Sequence, residues 1–184
     1  MLYKLAHIIM SAFPWLWECV EWINDILFRI RYHKSLRNII GMVSEKDIDD
    51  LTEFFASQPE SSFLYFRPHS FDRHHLLKLI HRSSMMMHVI YMDGKIAGYC
   101  FLRCFFIGKG YRGYIVDTRY RQKGIGKSLG IWLNDTAETL GLRTFKSIND
   151  DNLASLRLAQ ATCKLKKIQE MENGDAEYEC IIEK

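Results

Sequence analysis

The chain has 184 residues, enough for one domain with a sizeable core and a short appended element. Hydrophobic residues make up 48% and charged residues 26%, ordinary for a soluble globular protein. A net charge of +3 is mild and gives no reason to expect nucleic acid as a partner.

The apolar segment from Leu5 to Trp17 contains Pro14 and is followed by Glu18, Glu21 and Asp25. It falls short of the roughly 20 residues that a spanning helix needs. It also lacks the charged start and small-residue site of a cleaved leader. From 15 to 31 the apolar residues Leu16, Cys19, Val20, Ile23, Ile26, Leu27 and Ile30 recur at helical spacing, so a helix is expected there. Three of the four tryptophans, Trp15, Trp17 and Trp22, lie on it, and Arg29, Arg31, Lys34 and Arg37 follow. Such a helix packs on its own domain or on a second subunit of a homodimer, or it lies on a membrane surface. Residues 1–35 are read as this Trp-rich extension and 36–184 as the main domain.

Leu36–Val43 reads as a strand. Ser44 opens a helix whose inner face is Ile48, Leu51, Phe54 and Phe55. A loop with Pro59 and Pro68 leads to Asp72, a cap for a second helix with Leu76, Leu77, Leu79 and Ile80 inward. Met87–Met92 and Lys95–Phe106 flank Asp93-Gly94 as a hairpin, and Tyr111–Val116 is the next strand. A helix then runs to Leu140 and stops at Gly141. Arg143–Ile148 is a strand, Asn152 caps a helix carrying Leu153, Leu156, Leu158 and Ala161, and strands near 166–172 and 176–183 surround Asn173-Gly174. This order implies an α/β (α+β) fold: a mixed, mainly antiparallel central sheet with flanking helices. The five cysteines form no CxxC pair and are odd in number, which points to a reducing, cytoplasmic compartment.

Residues 120–133, Tyr-Arg-Gln-Lys-Gly-Ile-Gly-Lys-Ser-Leu-Gly-Ile-Trp-Leu, are built to hold an anion. A triphosphate loop needs a glycine at position 121, where Arg121 stands. A dinucleotide fingerprint needs a buried apolar strand directly before Gly124, where Arg119-Tyr120-Arg121-Gln122-Lys123 stands. A short loop turning into a helix N-terminus fits better. Gly124 and Gly126 remove side chains so that backbone N–H groups reach a pyrophosphate, and Lys109, Arg112, Arg119, Arg121, Lys123 and Lys127 outweigh the single acid Asp117.

The run Val116-Asp117-Thr118-Arg119-Tyr120-Arg121-Gln122-Lys123-Gly124-Ile125-Gly126-Lys127-Ser128-Leu129 resembles the acetyl-CoA-binding motif of the GNAT superfamily of N-acetyltransferases, with Arg121, Gly124 and Gly126 in its Arg/Gln-x-x-Gly-x-Gly/Ala core. The element order from residue 36 is similar to the GNAT fold. The resemblance implies an acetyl-CoA-dependent N-acetyltransferase acting on a primary amine, with no metal. It implies that backbone at Ile115 and Val116 binds the pantetheine arm, that N–H groups from Gln122 through Lys123, Gly124, Ile125 and Gly126 to Lys127, with Ser128 beside them, hold the pyrophosphate, and that Asn152 and Ser155 begin a helix reaching the arm. The tyrosine that many relatives carry seven residues after that asparagine is replaced by Ala159, and the usual Gly-Phe pair by Cys163-Lys164.

An ordinary lysine-like amine, with a pKa of about 10.4, needs a base or water relay before it can attack a thioester at neutral pH. No acid lies on the strand before the motif. The candidates are His69, from a loop that also brings His74 and His75, and Tyr114, with Tyr111 beside it as an alternative relay. The three histidines have no second cluster at metal spacing. Phe63, Tyr65, Phe66 and Phe71 in the same loop stack on a sugar or nucleobase as readily as they pack a core, so a small-molecule amine, an amino sugar among others, is the expected acceptor, with protein N-termini, polyamines and antibiotics left open. A CoA-binding module that docks a partner without catalysis is the alternative, and transfer of a larger acyl group a third reading.

Overall fold

The computed structural model describes residues 14–171 and 174–182. The apolar segment from Leu5 to Phe13, and Asn173 of the second expected turn, lie outside them. Helix α1 spans Pro14–Leu36, α2 Ile48–Ala56 and α3 Arg73–Ile80. Strands β1 (Met85–Met92), β2 (Lys95–Phe105) and β3 (Lys109–Val116) lead into α4 (Ile125–Leu140). β4 (Arg143–Asn149), α5 (Leu153–Gln160), β5 (Lys164–Glu170) and β6 (Asp175–Ile181) complete the order. The six strands form one sheet in the order β1-β2-β3-β4-β6-β5. Neighbours are antiparallel except for β3 and β4, which run parallel. The expected mixed, mainly antiparallel sheet with flanking helices is thus observed.

Local chemistry sets most boundaries. Asp93 and Gly94 both take positive φ, as a two-residue turn between right-twisted strands requires. Asp72 caps α3 by accepting the His75 N–H at 2.9 Å, and Asn152 caps α5 through the Ser155 N–H at 3.1 Å.

The expected strand over Leu36–Val43 does not form. α1 continues to Leu36, and only Met42 bridges to the sheet, opposite His88. Gly41 takes a φ of 72°, and the Ile40 carbonyl is taken by the indole N–H of Trp132 at 2.9 Å. A left-handed residue and a carbonyl turned towards α4 break the ladder that a strand would need.

Alternate residues of β2 feed two cores. Cys100, Leu102 and Cys104 point to the side covered by α1 and α4, where Leu129, Leu133 and Ala137 meet them. Tyr99 and Phe101 point to the side of α2 and α3, against Leu51, Phe55 and Leu76. Helix α1 enters the first core through Phe28 and Tyr32, whose rings lie 4.5 Å apart, and ends at Leu36. The rest of its inward face is polar. Asp25 accepts the Ser84 N–H and hydroxyl at 2.7 and 2.9 Å, Asn24 donates to the Cys104 carbonyl at 2.9 Å, and Glu21 pairs with Arg82 and Arg103.

Phe28 is completely buried. Phe28→Ala lowers the unfolding free energy by about 3 kcal/mol in denaturant titrations. A loss below about 1 kcal/mol would mean that α1 is only loosely attached.

Candidate active site

The site begins where two strands part. β3 and β4 pair only over Lys109↔Arg143, Gly110↔Thr144 and Tyr111↔Phe145. On its other edge β3 stays paired with β2 as far as Val116. Among the described residues, the β4-facing edge of β3 from Arg112 to Val116 therefore has no strand partner. Bulky polar side chains pack beside the parting strands on the α4 face of the sheet. The Lys146 ammonium of β4 sits 3.6 Å from the centre of the Tyr114 ring. Buried Arg112 donates to Asn134 Oδ1 at 2.6 Å and to the Gly130 carbonyl at 3.3 Å, both on α4. Burial, with the Arg112 charge nearby, lowers Lys146 to about 7. Burial raises the Tyr114 phenol well above its ordinary range, so it keeps its proton at any working pH.

After β3 the chain makes a tight loop held by Asp117, which is almost fully buried. Its carboxylate takes the Arg119 guanidinium at 2.6 Å, the Arg119 N–H at 2.8 Å and the Gln58 amide at 3.0 Å. Hydrogen bonding from Arg119 holds this carboxyl down near about 2. The acid in the basic run is thus a staple for the loop rather than a counter-charge for a ligand.

The loop turns into α4 at Gly124, the N-cap, with a φ of 81°, and Gln122 also takes the left-handed region at 62°. The first helical N–H to find a backbone acceptor is that of Ser128, which donates to the Gly124 carbonyl at 3.1 Å. Among the described residues, the N–H groups from Gln122 to Lys127 have no backbone acceptor. They form an open cradle at the positive end of the helix. Gly126 has a different task. A Cβ there would come within 2.5 Å of Leu158 Cδ2 on α5, so this glycine lets the two helices touch.

Cradle and strand edge open into one cavity of about 720 Å³, within the range of small-molecule sites. Tyr114, Ile115 and Val116 line it from β3; Arg121, Gln122 and Gly124 from the loop; Ile125, Gly126 and Lys127 from α4; Asn152 and Ser155 from α5. Of the residues expected at the site, His69, Lys123 and Ser128 are not among its lining. Lys123 lies over the Tyr120 ring at 5.0 Å, and the Ser128 hydroxyl turns back to the Gly124 carbonyl at 3.4 Å. Asn152 spends its amide oxygen on capping α5, leaving the amide N–H groups to offer. The Tyr114 hydroxyl reaches the Ser155 carbonyl at 3.5 Å.

The opposite wall is Ser61, Ser62, Tyr65 and Phe66, from the 3₁₀ turn Glu60–Phe63 and the loop after it. Phe63 and Phe71 pack inward instead, Phe71 stacking on Phe55 at 4.1 Å. His69 belongs with that packing. Its Nε2 meets the Tyr99 hydroxyl at 2.9 Å, its Nδ1 the Ser70 carbonyl at 2.8 Å, and burial lowers it to about 4, so it is neutral at pH 7.

The structure adds functional residues that the pattern of the sequence did not reveal. Lys146 had no motif to mark it; its one signal was a lone lysine inside the apolar run Thr144-Phe145-Lys146-Ser147-Ile148. Arg157 and Leu158 also line the cavity, from a helix turn for which only the cap was legible.

The profile of the acetyltransferase (GNAT) family matches residues 48–164. The chain belongs to that family and is an acetyltransferase of that class. Nothing among curated protein sequences matches it. Among solved structures it is similar to a Thermoplasma acidophilum PaiA N-acetyltransferase in complex with coenzyme A, at 16% identity and a TM-score of 0.65, over 76% of this chain and 96% of that one. It is also similar to an N-acetyltransferase from Staphylococcus aureus Mu50, at 19% identity and a TM-score of 0.63, over 77% and 96%. A third is YncA, a putative acetyltransferase from Salmonella typhimurium with its cofactor acetyl-CoA, at 20% identity and a TM-score of 0.60, over 77% and 91%. These likenesses support the fold.

Lys146 gives a signed test. Its folded pKa of about 7 lies below the ordinary 10.5, so the unfolded chain binds the extra proton between these values. Stability from this group is complete above about 10.5 and is lost as pH falls to about 7. Lys146→Met therefore raises the melting temperature at pH 7, and the gain shrinks as pH approaches 10.5. A pH-independent change would show that Lys146 is not buried as a charge.

Proposed function

We propose that the protein transfers an acetyl group from acetyl-CoA to the primary amine of a small molecule. One observation carries the reading: an open backbone N–H cradle and an unpaired strand edge face the same cavity. A CoA-type donor has a pyrophosphate for the first and an amide-bearing arm for the second. When bound, acetyl-CoA supplies an activated acyl thioester.

The chain's own groups then have definite tasks. N–H groups of Gln122 to Lys127 hold the pyrophosphate, with Arg121 and Lys127 adding charge. The free edge of β3 at Ile115 and Val116 bonds the arm as a strand would, and the Asn152 amide N–H groups reach it from α5. Donors at that edge also steady the charge that grows on the thioester oxygen. Ala159 cannot supply the hydroxyl that this position carries in many relatives. Tyr114 brings a protonated phenol from the facing strand to α5 and acts as a relay: as the C–S bond breaks it passes its proton to the leaving thiolate and regains the proton that the attacking amine nitrogen sheds, so no tyrosinate persists. Below pH 7 the Lys146 ammonium beside that ring eases loss of the phenol proton, and above pH 7 that help is withdrawn. His69 holds the acceptor-side loop through Tyr99 rather than taking a proton from the amine. Tyr65 and Phe66 offer aromatic faces with Ser61 and Ser62 beside them, which suits an amino sugar: apolar ring faces stack and hydroxyls find partners.

Two measurements check this. A panel of amino sugars, polyamines, aminoglycosides and peptide N-termini is offered with acetyl-CoA, and release of CoA thiol is followed. An amino sugar gives the fastest release; tight CoA binding with no amine-dependent release would make the domain a docking module instead. Tyr114→Phe lowers kcat about 100-fold with CoA affinity unchanged. An unchanged kcat would remove Tyr114 from the proton path.

A further inference from the structure

Helix α1 is inverted. Its inward face carries Glu21, Asn24 and Asp25 beside Phe28 and Tyr32, whereas large apolar side chains face outward. Trp22 is 66% exposed, Ile23 49% and Ile30 67%, and Val20 and Leu27 lie in the same outward arc. At 100° per residue these positions span one broad stripe opposite the anchoring side chains. The stripe has a neighbour. Asn24 accepts the Phe106 N–H at 3.1 Å and Arg31 donates to the Phe106 carbonyl at 2.7 Å, so the β2–β3 turn is bonded to the edge of α1. That turn exposes Phe106 and Ile107 as well. The patch is therefore built from two elements fixed together by polar bonds.

Charge identifies what covers it. No acidic residue lies between Asp25 and Glu45, while Arg29, Arg31, His33, Lys34 and Arg37 all do. Lys34 and Arg37 are exposed at the end of the stripe. A tryptophan at the headgroup level, aliphatic side chains below it and cations alongside match an anionic lipid surface. A second copy fits less well: within α1, Glu18 is the one exposed acid that a two-fold interface could set against these cations, a weaker match than an anionic lipid surface. No described helix is long and apolar enough to cross a membrane, so contact would be along the surface.

We propose that the outer face of α1, together with the β2–β3 turn, docks the protein on an anionic membrane surface. This stands apart from the acetyl-transfer reading, since the patch shares no residue with the cavity lining. Removing α1 would strip Phe28 and Tyr32 from the core, so the test uses point variants of the full chain. The chain is sedimented with vesicles of phosphatidylglycerol and phosphatidylcholine, and with phosphatidylcholine alone. Binding is expected to the anionic vesicles and to weaken with salt. The combined change Trp22→Ser, Ile23→Ser and Ile30→Ser weakens it at least about tenfold, and Lys34→Glu with Arg37→Glu does so by a similar factor. CoA affinity and melting temperature stay at wild-type values in both. Absence of sedimentation with anionic vesicles, or equal binding by the variants, overturns the proposal. So does a concentration-dependent dimer in light scattering that the triple change abolishes while vesicles go unbound, which would assign the stripe to a second copy.

Discussion

β3 and β4 run together for three residue pairs and then separate, and the ligand slot is the space that this separation leaves. Beside the parting strands Lys146 packs on the Tyr114 ring, and Arg112 ties β3 to α4. These buried cations carry a desolvation cost that an apolar filling would avoid.

The second element of the site depends on the first. Because β3 ends at Val116 beside the gap, the loop that follows must turn sharply to start α4 over the same opening. Asp117 makes that turn rigid by gathering Arg119, its N–H and Gln58 onto one carboxylate. Gly124 then permits the left-handed step into the helix, and Gly126 lets α5 close against α4. The cradle is backbone throughout. In the proposed reading, phosphate is held by geometry and the helix dipole, with Arg121 and Lys127 as reinforcement rather than as the foundation.

What could be read from the chain follows from how local its cause was. The Asp93-Gly94 turn, the Asp72 and Asn152 caps and the Gly141 stop each rest on a bond or a φ within a few residues, and all appear where the pattern put them. The turn of the loop into α4 at Gly124 was legible for the same reason. Leu36–Val43 was not, because its fate is set by Trp132, far along the chain. The orientation of α1 was hidden too: most apolar residues at helical spacing face outward, and the anchoring face combines Phe28 and Tyr32 with Glu21, Asn24 and Asp25. His69 sat in a promising loop, yet burial beside Tyr99 makes it a neutral packing group. Lys146 is the converse, a residue without a motif whose chemistry arises only from its surroundings.

Backbone amide hydrogen exchange with and without CoA reads the slot most directly. Saturating CoA should slow exchange at the N–H groups from Gln122 to Lys127 and along the β3 edge at Ile115 and Val116, with little change in β5 and β6. Bound CoA that leaves those amides as exposed as before, or that protects a different surface, would contradict the assignment of this gap as the donor site.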